Sequence, residues 1–112
     1  MTTNYRKPWR QDIELSQNYS RHKMFTVSTT NNDKVDISIS DSMEEANKVS
    51  LIVENADAYL AFDKDATADA TCMLLPANEG YFDDAIWVAN KISFIRIPDG
   101  TNARIRGIIW GR

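Results

Sequence analysis

The stretch Lys91–Trp110, KISFIRIPDGTNARIRGIIW, constrains the fold of this chain more than any other. Two β-rich runs, Ile92–Ile97 and Ala103–Trp110, flank Pro98-Asp99-Gly100-Thr101. Proline presets the backbone dihedral of a first corner, aspartate hydrogen-bonds back to its own backbone, and glycine accepts positive φ. Local chemistry therefore predicts a tight β-hairpin with its left-handed residue at Gly100. Both runs carry large apolar side chains in both phases: Ile92 and Phe94 against Ile95 and Ile97, then Ile105 and Ile109 against Ile108 and Trp110. A hairpin with one face in water alternates more cleanly, so this pair is expected between two sheets or between subunits.

The rest of the chain reads in the same short-strand idiom. Thr26–Thr30 and Val35–Ser40 flank the turn cluster Asn31-Asn32-Asp33 and suggest a second hairpin, with Val35, Ile37 and Ile39 inward. Val49–Glu54 and Ala58–Phe62, separated by Asn55-Ala56-Asp57, read as a third strand pair. Thr71–Leu75, Tyr81-Phe82 and Ile86–Val88 are further short strands, divided by Pro76–Gly80 and Asp83-Asp84. One helical candidate stands among them. In Asp41–Asn47, Ser42 and Glu45 have capping-box spacing, although the segment also reads as a loop. Short strands spaced by turn signals predict an all-β fold, a single antiparallel β-sandwich or jelly-roll domain.

Residues 1–25 differ from this pattern. Tyr5, Trp9, Tyr19 and Phe25 are scattered among polar and charged residues, with Pro8 early and no sustained period. The segment is expected to be an extended N-terminal arm that orders against another surface, leaving 26–112 as the sandwich. Aromatic residues and arginine are what interfaces enrich, so Tyr5, Arg6, Trp9, Arg10 and Tyr19 are the candidate anchors of a protein interface. The same segment folded back over an edge of its own domain is the competing reading.

Charge is distributed unevenly. Residues 1–25 carry five basic and two acidic side chains, 26–84 three and thirteen, 85–112 five and one, summing to −3. The acidic body would repel a phosphate backbone, so no nucleic-acid partner is expected. Basic ends and an acidic middle can complement one another within a subunit or between neighbours. The apolar runs are too short for a membrane helix, and the polar, basic N-terminus does not resemble a secretory signal.

Catalytic chemistry finds little support. The single histidine, His22, lies between Arg21 and Lys23, and nothing local orients it as a base. The single cysteine, Cys72, has no partner and reads as a small buried residue. Asp63, Asp65 and Asp69 invite a calcium reading, because oxygen ligands at alternate positions suit a hard cation. Their loop lacks the glycine and terminal glutamate of a helical calcium loop, and a solvated loop explains them better. Glu79 with Asp83 or Asp84 could form an acid–base pair, but carboxylates alone do not make a catalytic constellation. No enzyme activity, cofactor or metal is expected. Trp9, Trp87, Trp110, Tyr59 and Tyr81 could serve as sugar-stacking platforms, although Trp87 and Trp110 lie within apolar strands and read more simply as core or interface residues.

An ordered set of features carries a resemblance: Val53-Glu54-Asn55, the strand Ala58–Phe62, the Ala/Thr/Asp loop Asp65–Thr71, the Leu-Leu-Pro-x-x-Glu-Gly turn Leu74–Gly80, and Ile92–Ile105. In this order residues 49–110 resemble small β-sandwich virion proteins of tailed bacteriophages, over about half of the chain and with no catalytic motif. The resemblance implies a structural role in the virion: a capsid cement or decoration protein, or an accessory subunit of the head–tail connector, tail or fibre. It also implies partners, namely further copies of the same chain, often as trimers, and the major capsid protein or another virion protein. A carbohydrate-binding module is the alternative of a different class.

Overall fold

The computed structural model describes residues 20–112, which form eight strands. They are β1 (Arg21–Ser28), β2 (Val35–Ser38), β3 (Ala46–Glu54), β4 (Ala58–Phe62), β5 (Met73–Leu75), β6 (Glu79–Asp83), β7 (Lys91–Arg96) and β8 (Arg104–Gly111). Two antiparallel four-stranded sheets, β1-β8-β3-β6 and β2-β7-β4-β5, pack as a β-sandwich. Every connection but β4–β5 passes from one sheet to the other. This is the double Greek-key order of a jelly roll. Among the described residues no helix is long and apolar enough to cross a membrane.

The crossing pattern overturns the three expected hairpins. β7 pairs with β2 and β4, whereas β8 pairs with β1 and β3, so the runs flanking Pro98 lie in different sheets. The turn itself forms, since Gly100 N–H donates to Ile97 O (3.0 Å). Asp99 is its left-handed residue at φ 57°, and Gly100 has no positive φ. Asn32 redirects the chain: its Oδ1 accepts from Asp99 N–H (2.9 Å) and from the Arg96 guanidinium, folding this corner onto the β1–β2 loop. β1 with β2, and β3 with β4, likewise belong to opposite sheets. Turn chemistry bends the chain without choosing the partner. Burial of two inner faces against each other makes that choice.

Inward residues of both sheets form one core. Phe25, Val49, Leu51, Val53, Ile105 and Ile109 face Ile37, Leu60, Ile92 and Phe94. The rings of Phe25 and Phe94 stack across the sandwich at 6.4 Å. Asp41–Asn47 is a turn leading into β3, with no helix. Ser42 and Met43 N–H both donate to Ile39 O, and Met43 is buried in the core. Ser42 Oγ caps nothing and donates to Asp41 instead. Ile86–Val88 contributes a single bridge, Val88 to Ala46, beside the start of β3.

β1 begins at Arg21, so Arg21–Phe25 are strand residues of the sandwich, although their composition groups them with the N-terminal arm.

Candidate interaction surface

The two sheets treat their outer faces differently. On β2-β7-β4-β5 the loop from Asp63 to Cys72 lies over the sheet and shields its middle. Ala66 N–H donates to Ser93 Oγ (2.9 Å), and Ala61, Ala66 and Ser93 are all buried. Lys91 pairs with Asp65 and Asp36, and Lys34 pairs with both of the same carboxylates. Burial works against the Asp36 charge, but Lys34, Ser93 and Lys91 outweigh it and hold the carboxyl below its ordinary range.

The three loop aspartates therefore have protein partners. Asp63 accepts from the backbone N–H groups of Ala89 (2.9 Å), Asn90 (2.6 Å) and Lys91 (3.2 Å), tying the 84–90 loop to β4. Asp69 accepts from Thr71 N–H (2.8 Å). Among the described residues no group of three or more His, Cys, Asp or Glu is placed to hold a metal ion. Cys72 is half-buried, not enclosed, and its sulfur accepts from Thr67 N–H.

Among the described residues nothing covers the outer face of β1-β8-β3-β6. Register sets out its rows. Met24, Ile108, Ser50 and Phe82 stand side by side across all four strands. Above them run His22, Trp110 and Lys48, and below them Thr26, Arg106, Ile52 and Gly80. Three of these outward residues are large and apolar in a row where a solvated sheet would carry polar ones. Met24 is 76% exposed and Phe82 58% exposed. A shallow groove of about 600 Å³ opens between Met24, Thr26, Ile52, Arg106, Gly107 and Ile108.

Trp87 belongs to the same side. Its neighbours Ile86 and Val88 point into the core and bond to the backbone of Asn47 and Ala46 beside β3. Alternation then turns Trp87 outward, and it is 78% exposed. Of the two readings of Trp87, core or interface residue, this exposure removes the first. Trp110 is half-buried under Lys48, whose ammonium lies 4.7 Å from the Trp110 ring and 5.4 Å from that of Phe82. At the other end of the face Arg104 and Arg106 both hold Glu54, at 3.0 and 3.1 Å. Arg104 and Arg106 keep the Glu54 carboxyl below its ordinary range.

Tyr5, Arg6, Trp9, Arg10 and Tyr19, the anchors expected from sequence, lie outside the described residues. The surface residues themselves, Met24, Lys48, Phe82 and Ile108, were legible only indirectly. The signal was the two-phase apolar pattern of β8, where Ile105 and Ile109 point inward and Ile108 and Trp110 outward. No protein-family model matches the chain, and neither does any curated protein or solved structure.

Proposed function

We propose that this chain is a bacteriophage virion structural protein, a non-enzymatic capsid cement or decoration subunit. It packs against coat subunits through the outer face of β1-β8-β3-β6. The observation that carries this reading is the open row Met24–Ile108–Ser50–Phe82 with Trp87 beside it. Monomeric proteins rarely expose contiguous apolar patches of this kind, and burying one in an assembly stabilises both partners. The ordered features of residues 49–110 that resemble phage virion proteins point the same way, although Ile92–Ile105 is a crossover and not a hairpin. Jelly rolls occur in viral capsids and equally in lectins, so the fold alone does not choose.

The test is cosedimentation of the full chain with coat particles that lack it. The wild type should bind to saturation in a fixed ratio. Phe82→Ser with Trp87→Ser should abolish binding while leaving the melting curve unchanged. Unaltered binding by that variant would remove the face from the argument. Saturation at a few copies per particle would move the protein to the connector, tail or fibre.

The exposure of Trp87 favours one second reading, a carbohydrate-binding face on which Trp87 and Phe82 stack against sugar rings. A glycan-array signal lost in Trp87→Ser, in a protein that ignores coat particles, would establish it.

A further inference from the structure

We propose that β1 is a self-pairing edge, joining antiparallel to β1 of a second copy across a two-fold axis to make one continuous eight-stranded sheet. The four sheet edges are unequal. β2 has four residues and β5 three, and Lys34 and Asp36 stand at β2. β6 has five residues, with Gly80 within it and Asp83-Asp84 at its end. These are the features by which proteins blunt an edge: shortness, charge, glycine. β1 is neither short nor interrupted by glycine, and of its two charged residues Arg21 stands at its very start. It runs eight residues without proline or glycine, in unbroken register with β8 from Arg21↔Gly111 to Ser28↔Arg104. Its one half-buried charge, Lys23, is tied to Ser38 O (2.8 Å) and Asp41 (3.1 Å) and does not stand across the edge.

Alternate residues of an antiparallel edge strand point their N–H and C=O groups away from the sheet. Among the described residues no backbone group of Arg21–Ser28 bonds to anything outside β8. A second copy supplies the complementary row. Centred on Phe25, the two-fold register sets Met24 opposite Thr26, Lys23 opposite Val27, and Arg21 opposite Thr29. No like charges meet, and the exposed Met24 is covered. The same register joins the two Met24–Phe82 rows into one surface.

This inference concerns the isolated protein and stands or falls apart from the virion reading. Sedimentation of the full chain from about 1 μM to about 1 mM should show a monomer–dimer equilibrium, since one strand pair buries less than a standard interface. Met24→Lys with Thr26→Lys, two exposed positions, should weaken association about tenfold or more. Met24→Lys with Thr26→Glu should restore it. In a Cys72→Ser background, Met24→Cys and Thr26→Cys should cross-link when mixed and neither alone. A monomer throughout, or a dimer indifferent to the double lysine variant, would overturn the proposal. Single cysteine variants that cross-link with themselves as readily as in the mixture would overturn its register.

Discussion

Gly107 sits opposite Leu51 in the centre of the sandwich with no space for a side chain. A Cβ there would collide with the Ser50 carbonyl oxygen and lie 2.7 Å from Leu51 Cα. Both obstacles are backbone or the root of a core side chain, so neither can swing aside. Gly107→Ala should destabilise the domain by roughly 1–3 kcal/mol, as overpacking of a core does. Gly80→Ala is the control, because its Cβ would meet only ordinary contact, 3.7 Å from Leu51 O. Urea midpoints of the two variants should differ in that order. Equal midpoints would mean that β3 and β8 approach less closely than their register implies.

Ser93 provides a second test. It is wholly buried, and its hydroxyl receives the N–H of Ala66, a buried residue of the loop that lies over the sheet. Ser93→Ala leaves that donor without a partner, which costs about 1–3 kcal/mol. The loss should be local first. Hydrogen exchange across residues 63–72 should accelerate more than exchange in β8, and uniform acceleration would show that the loop is not held at this point.

These two sites mark where the sequence stops speaking. Every strand except the first half of β1 falls in a run whose composition reads as β, and Asn31, Asn55, Asn78 and Asp99 occupy the left-handed turn positions that such residues tolerate. Pairing was not legible. Alternation in Val35–Ile39 or Ile105–Ile109 reports which face is buried and says nothing about the neighbour. Short linkers such as Asn55-Ala56-Asp57 serve a hairpin and a sheet-to-sheet crossing equally well. Asp99 took the positive φ expected of Gly100, and the glycines that leave no space for a Cβ proved to be Gly111, against Glu45, and Gly107, placed by a strand contact 56 residues away in sequence. The apolar outer face announced itself through Ile108 and Trp110. Phe82 and Met24 join it only because β6 and β1 bring them into the same row.

Lys48 spans Phe82 and Trp110 on that face, and its position is energetically coupled to the rings. A cation over an exposed aromatic face contributes about 0.5–1 kcal/mol. In a double-mutant cycle of Lys48→Ala and Trp110→Leu, read by thermal melting, the two losses should be sub-additive by about 0.5 kcal/mol. Strict additivity would show the ammonium to be solvated away from the ring.

The acid limb of stability should carry the signature of Asp63. Burial disfavours its charge, but the N–H groups of Ala89, Asn90 and Lys91 outweigh that and hold its pKa below the unfolded value. A carboxylate depressed in this way stabilises the folded state fully above its unfolded pKa, about 3.9, and the contribution is lost as pH falls through the folded one. Stability should thus be level from neutral pH to about 5 and decline below about 4. Asp63→Asn keeps the left-handed backbone at φ 58°, which asparagine tolerates, and removes the charge together with one of the two oxygens that accept these N–H groups. The variant should start less stable at neutral pH and lose less on acidification. Its curve should approach that of the wild type near the bottom of the limb, where Asp36, Asp65 and Asp69, also held low, still titrate in both proteins. Parallel curves at every pH would mean that the three amide bonds hold the 84–90 loop without favouring the charged carboxylate.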